Sequence, residues 1–330
     1  MLPCPPLSWL SHPKFVLIFS HFMALIVLPL HLLTAFCILK RTPPSMSTVK
    51  WTILNLHFWN ILVDCLMNIF IIPCPLFPTV SGYLLGVFSA MGVRATVQAW
   101  ILATALSVVC VSTTMIFERR FYLLIARDTR WTLARPFWTL ANWIFGLTYT
   151  IPMVLQVPDQ KTAKEVVLGT LPCIPSALRS IELITPTLNG SLFIYTATTF
   201  ILVIFGQLIT FSAILITKLS ANFGRSMLSK TTQRLQRNLS KTLVLQTGIP
   251  FVYLLLPVSL GILSISTGFF SMAMNNLLVV ITSLHGLVST LSMLLVHQPY
   301  RRAVMGLFVI RSIRGRGKGK KQSSLKLLSS

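Results

Sequence analysis

The chain has 330 residues, of which 54% are apolar or aromatic and only 10% charged. A soluble domain of ordinary composition carries about 25% charged residues, so a water-soluble enzyme is excluded at the outset. Twenty-eight Lys and Arg against six Asp and Glu give a net charge of +22. That excess raises nucleic acid as a partner, and the placement of the charges decides against it.

Seven apolar runs are long enough to cross a hydrocarbon core about 30 Å thick. They are Phe15–Leu39, Trp51–Pro73, Ala95–Phe117, Phe137–Val157, Ser191–Thr217, Thr242–Ser264 and Met272–Val296. Asp64 is the one Asp, Glu, Lys or Arg inside them. The first run is too long for a secretory signal, whose apolar region is about 7–15 residues, and Lys40-Arg41 follow it where a cleavage site needs small residues. The expected fold class is an all-α membrane protein, a seven-transmembrane helix bundle over residues 15–296.

With seven spans the connections alternate sides. The N-terminus and the even connections hold 5 Lys and Arg, whereas the odd connections and the tail hold 23. Cytoplasmic segments carry the excess, which puts residues 1–14 outside and the tail 297–330 inside. The positive charge is thereby assigned to the membrane's inner face, and no nucleic-acid partner is needed.

The second span carries His57, Asn60, Asp64 and Asn68 at spacings of 3, 4 and 4, one polar stripe on one helix face. A carboxylate at the centre of a span costs about 2.5–3.5 kcal/mol, so Asp64 must face the bundle or a watery cavity. Counted along the helices, Asp64 and His285 of the seventh span both fall near mid-membrane and are candidate neighbours. Three readings stay open: a water or cation site that differs between two packings, a static hydrogen-bond network, or a proton relay.

The third span ends in Phe117-Glu118-Arg119-Arg120-Phe121. The spacing permits a local ion pair, which makes Glu118, Arg119 and Arg120 a candidate electrostatic switch; charges that merely end the helix are the alternative. The long connection from Pro158 to Gly190 holds Asp159, Glu165 and Glu182. Cys4, Cys74 and Cys173 map to the oxidising side, and Cys74 and Cys173 can form a bridge over the helix ends, with free thiols equally open. Asn189-Gly190-Ser191 is an external glycosylation sequon, whereas Asn238-Leu239-Ser240 falls on the inside.

Lys230, Arg234, Arg237 and Lys241 precede the sixth span, on a sequence with leucines at helical spacing that extends that helix into the cytoplasm. Pro250 and Pro257 make the sixth helix a candidate hinge. The tail from Arg311 to Lys321 is basic and interleaved with glycine, suited to anionic lipid headgroups. A pocket in the outer half would draw on Gln98, Trp100, Tyr195, Thr199, Tyr253, Asn275 and Asn276. No phosphate loop, HExxH or GxSxG is present, and neither a cofactor nor a metal is expected.

Several ordered segments together resemble the nematode serpentine receptors of class H. They are Pro29-Leu30-His31, Thr42-Pro43, Val49-Lys50-Trp51 through Leu56-His57-Phe58-Trp59, Glu118 to Phe121, Leu228-Ser229-Lys230, and Asn275-Asn276 through Leu284-His285-Gly286 to His297-Gln298-Pro299-Tyr300. The resemblance spans roughly residues 20–305. It implies a chemosensory seven-helix receptor in the plasma membrane, an external small-molecule ligand and a heterotrimeric G protein as partner. Glu118 and Arg120 match the family's Glu-x-Arg, and Glu118-Arg119 also fits the acid-arginine pair of the wider receptor superfamily. A ligand-gated channel or transporter, and a receptor relic without coupling, are the rival expectations.

Overall fold

The computed structural model describes residues 8–44, 47–171, 181–221, 248, 252–296 and 298–306. Seven helices of 16 residues or more stand among the described residues: α1 Pro13–Arg41, α2 Ser47–Cys65, α3 Ala95–Phe121, α4 Trp131–Thr148, α5 Gly190–Ala221, α6 Val252–Thr267 and α7 Met272–Val296. Five of them are long and apolar enough to cross a membrane by length and composition. α4 begins six residues before its apolar run and breaks at Tyr149–Thr150, with a single turn, Ile151–Val154, continuing it.

α1 packs on α2 and α7, α2 on α3 and α7, and α3 on α4 and α5. α3 is the central pillar: 72% of its most apolar stretch is buried, against 22% for α5. Leu25, Leu32, Leu133, Phe137, Leu202 and Ile209 lie exposed on the outside of the bundle. Such a surface suits lipid rather than water, and the chain is an integral, multi-pass membrane protein.

At Leu66–Phe70, two residues past Asp64, α2 widens into a π turn. Ile72 then takes a φ of 45°, uncommon for a β-branched side chain, and turns the chain out of the helix. Gly86 N–H donating to Ile71 O at 2.9 Å and Leu85 N–H donating to Ile72 O at 3.1 Å hold that corner. There follows a two-stranded hairpin, β1 Pro73–Pro75 antiparallel to β2 Gly82–Leu84, with Cys74 opposite Tyr83. Ile184, just before α5, adds a bridge to Gly82, so the hairpin and the 181–189 segment form one cap over this end of the bundle. The helix Gln160–Thr170 is tied to it by Gln160, which donates through Nε2 to Thr185 O at 3.1 Å and accepts through Oε1 from Thr185 N–H at 2.8 Å, and its first turn is capped by the Asp159 carboxylate on Thr162 N–H.

At the opposite end, residues 298–306 are helical. Tyr300, fully buried, bonds through its hydroxyl to Thr42 Oγ1 at 2.8 Å and closes a small core with Cys37, Ile38, Val49, Ile53, Met293 and Leu294.

Of the two cysteines that could bridge, only Cys74 is described. Cys74 is a free thiol, buried on the inner face of β1 against Tyr83, and Cys173 lies outside the described residues. Pro250, Lys230, Arg234, Arg237 and Lys241 lie outside them as well.

Candidate functional site

The stripe on α2 turns wholly inward: His57, Asn60, Asp64 and Asn68 are each at most 3% exposed. The partner of Asp64 is His31 of α1 rather than His285. His31 Nε2 stands 2.6 Å from Asp64 Oδ2, and its Nδ1 lies 3.2 Å from Thr290 Oγ1 of α7. His57 Nε2 lies 3.1 Å from the His31 carbonyl, and Asn60 Nδ2 donates to Ser289 Oγ at 2.9 Å. Asn68 Nδ2 donates to Asp64 O at 3.0 Å across the widened turn. One network therefore ties α1, α2 and α7 together in the bundle's interior.

Gly286 makes this approach possible. A Cβ at that position would overlap the Asp64 carboxylate, so only glycine lets α7 lie this close to α2. His285, the neighbouring residue, is buried too, at 3% exposure. His57 Nδ1, Asn60 Oδ1, Asn68 Oδ1, Ser283 Oγ and His285 Nδ1 have no hydrogen-bond partner among the described residues. Polar atoms so placed are ordinarily satisfied by water held between helices.

Toward the hairpin end the network gives way to apolar space. A cavity of about 310 Å³ lies between α2, α3, the hairpin, Ile184, Pro186, α6 and α7, with Met67, Leu102, Tyr83, Pro257 and Leu278 in its wall. A second, about 240 Å³, lies among α3, α5, α6 and Tyr149 and Met153. Ala103, Leu106, Phe193, Val258 and Thr282 border both, and no Asp, Glu, Lys, Arg or His is among the described residues that line either. Cavities of this size and character are suited to small molecules. Thr282 sits one turn before Gly286 on the same face of α7, so the cavity wall and the polar network are consecutive turns of one helix.

Of the residues expected at a pocket, Trp100 lines a third cavity, of about 200 Å³, that shares Ala103 and Phe193 with the others. The rest stand elsewhere. Gln98 caps the start of α3 on Val93 O at 2.7 Å. Asn275 holds Phe77 O at 3.1 Å and Asn276 holds Leu10 O at 2.7 Å, which pins α7 to the hairpin loop and the N-terminal segment. Tyr195 is 72% exposed and Thr199 is exposed on the outer face of α5, while half-buried Tyr253 borders none of these cavities. Asn189 is exposed and accepts from Leu192 N–H at 3.2 Å, so the sequon asparagine is the cap of α5.

At the far end of α3 the local pair is not made. Glu118, 1% exposed, faces α4 and accepts through Oε1 from Arg135 Nε at 2.7 Å and Trp131 Nε1 at 2.9 Å. The next two side chains point about 100° and 200° further round the helix, which takes them away from that carboxylate. Arg119 lies over the Tyr122 ring, and neither Arg119 nor Arg120 has an ion pair among the described residues. His31, Thr290, Gly286, Trp131 and Arg135 were not singled out as site residues by the sequence; His31 and Gly286 stood there only within segments of the family resemblance.

The sequence profile of the serpentine-type seven-transmembrane G-protein-coupled chemoreceptors named Srh matches residues 11–310. The chain is 30% identical over 314 residues to Serpentine receptor class H-72 of Caenorhabditis elegans, covering 93% of this chain and 89% of that one. In three dimensions it is similar to squid rhodopsin, with a TM-score of 0.55 and 14% identity over 93% of this chain and 91% of that one, a likeness of fold alone.

Proposed function

Since the chain belongs to the class H serpentine chemoreceptors, a family of receptors and not of enzymes, we propose that it binds an external small molecule and passes the event to a heterotrimeric G protein by rearranging helices. The observation that carries this reading is the continuity along α7: Leu278 and Thr282 line the apolar cavity, and Gly286, Ser289 and Thr290 touch Asp64, Asn60 and His31. A ligand that shifts α7 by a fraction of a turn alters the hydrogen bonds of the polar network with no covalent bond made or broken.

In this reading the hairpin cap and residues 1–14 face outside, and the Glu118 end, residues 218–241 and the basic tail 297–330 face the cytoplasm, as their Lys and Arg content favours. Arg119 and Arg120, free of the Glu118 carboxylate, together with Lys230, Arg234, Arg237 and Lys241, are the proposed contacts of the G protein. The tail's basic run lies along anionic headgroups of a plasma or sensory-cilium membrane. Asn189 remains the candidate glycosylation site.

A chemical panel applied to cells carrying the chain and a promiscuous G protein tests the reading, with calcium release as the signal. The expected result is a dose-dependent response that vanishes when the G protein is left out. A ligand-evoked whole-cell current without G protein would overturn it in favour of a channel. Antibody access to tags at the two termini of intact cells checks the orientation separately.

A further inference from the structure

At the Glu118 end of the bundle, α4 carries a groove of about 520 Å³ that the receptor reading leaves unused. Thr132, Arg135, Thr139 and Trp143 line it at spacings of 3, 4 and 4, with Pro136 and Leu140 beside them, so its wall is one face of α4. Tyr122, from the π turn Tyr122–Ala126 that follows α3, completes the wall. The apolar run of this span starts at Phe137. Thr132 and Arg135 therefore lie before the hydrocarbon core, Thr139 lies at its edge, and Leu140 and Trp143 lie inside it. Leu133, Phe137, Leu140 and Ile144 are exposed along the same helix, a surface that suits lipid.

The polar end of the groove has hydrogen-bond donors to give. Arg135 spends its Nε on Glu118 at 2.7 Å, and its remaining N–H groups have no acceptor among the described residues. The hydroxyls of Tyr122 and Thr139 make no hydrogen bond among the described residues either, whereas Thr132 Oγ1 donates to Arg127 O at 2.8 Å. The Arg135 guanidinium lies 4.5 Å from the centre of the Tyr122 ring and that of Arg119 lies 5.9 Å from it, so two cations are held at this end. No Asp or Glu is among the described residues that line the groove. Residues 118–135 hold five Arg against Glu118 and Asp128, and the Glu118 carboxylate is already engaged, so the local field is positive.

We propose that this groove binds an anionic phospholipid. Its phosphodiester takes hydrogen bonds from Arg135, Tyr122 and Thr139, and an acyl chain lies along Leu140 and Trp143. The site is separate from the basic tail, and its existence does not depend on the receptor reading. Net charge makes the choice among lipids: the trimethylammonium of phosphatidylcholine would stand among arginines, whereas phosphatidylserine is negative overall. The headgroup rests on the same Arg135 that holds Glu118, so the lipid braces the tie between α3 and α4.

The test reconstitutes the full chain, one copy per nanodisc, in phosphatidylcholine doped with a probe lipid that bears a diazirine on one acyl chain. The probe is phosphatidylserine in one preparation and phosphatidylcholine in the other. The phosphatidylserine probe should label the peptide holding Leu140 and Trp143 about fivefold more, the preference one basic side chain gives at an anionic headgroup. Excess unlabelled phosphatidylserine should remove the difference. Tyr122→Phe with Thr139→Val deletes the two unspent hydroxyls and leaves Glu118 and Arg135 in place, while Thr139→Glu puts a carboxylate one turn from Arg135. Either change should bring the labelling down toward the phosphatidylcholine level, and the peptide holding Leu25 and Leu32, exposed on α1, should keep its own. Equal labelling by the two probes would overturn the proposal, as would a preference that both variants retain. Suppression by inorganic phosphate would give the site to a soluble anion, and loss of the adducts in discs holding two chains would give the groove to a second copy; either result overturns it too. A chain that binds the lipid in this way and never activates a G protein keeps the site and sinks only the receptor reading.

Discussion

His31 of α1 and Asp64 of α2 face each other at 2.6 Å, both nearly excluded from solvent, and the second nitrogen of the same imidazole lies beside Thr290 of α7. One ring thus joins three helices, and removing it strands a carboxylate in the bundle. His31→Ala should destabilise the folded chain by about 3–5 kcal/mol, the usual cost of leaving one member of a buried pair alone. Asp64→Asn keeps an acceptor and should cost less. The double variant should fall well short of the sum, because the second change removes the charge that the first left unpaired. Thermal unfolding in detergent measures all three, and additive losses would mean that the two residues do not act as a pair.

A methyl group at Gly286 would occupy the space of the Asp64 carboxylate, whereas a Cβ at Gly206 in α5 meets nothing within 4 Å. Gly286→Ala should therefore lower stability by about 1–3 kcal/mol through overpacking. Gly206→Ala, the same chemical change in an open part of a helix, should be neutral or raise stability by up to about 1 kcal/mol. The comparison of their unfolding midpoints isolates the close approach of α7 to α2, and a neutral Gly286→Ala would show that the helices can part without cost.

Asp159 caps the helix Gln160–Thr170 by accepting from both Thr162 N–H and Thr162 Oγ1. The backbone hydrogen bond from Thr162, more than any other influence, draws its carboxyl below the ordinary value of 3.8. A depressed carboxyl stabilises the folded form above its unfolded value and loses that contribution as pH falls through the folded one. Exchange of the Thr162 amide, corrected for its intrinsic rate, should thus be slow near neutrality and speed up as the solution is acidified through and below 3.8. In Asp159→Ala it should be fast throughout. An unchanged Thr162 amide in that variant would show that the helix is held by its buried Ala163 and Val167 alone.

The helices were legible because a bilayer demands unbroken apolar runs of fixed length, and the fall of Met272–Val296 shows how little else is needed. The inward face of α2 was legible for a related reason, since four polar residues at helical spacing fit only one side. The partners were not. α1 offers two histidines, and nothing local distinguishes exposed His21 from buried His31. On α5, Tyr195 and Thr199 share a face, as their spacing requires, but which way that face turns depends on α3 and α4, and it turns outward. An apolar cavity leaves even less trace, because Ala103, Phe193 and Val258 are ordinary packing residues until helices from distant parts of the chain leave space between them.

The Glu118 carboxylate ties the end of α3 to α4 through Arg135 and Trp131, and this leaves the two arginines that follow it without an acidic partner among the described residues. Two classes of variant should then separate cleanly. Arg119→Ala with Arg120→Ala removes the proposed contacts of the G protein and no ion pair among the described residues, so it should abolish ligand-evoked signalling while leaving surface expression intact. Arg135→Ala strands a carboxylate that is 1% exposed. It should lower surface expression and stability, by about 3 kcal/mol or more, and Glu118→Gln placed on top of it should recover part of the loss, since the amide carries no charge to strand. Signalling at full strength from the Arg119 and Arg120 double variant would remove these residues from the switch. An Arg135→Ala variant as stable as the parent would mean that Glu118 finds another partner, and the tie between α3 and α4 would then not be what holds the carboxylate away from Arg119 and Arg120.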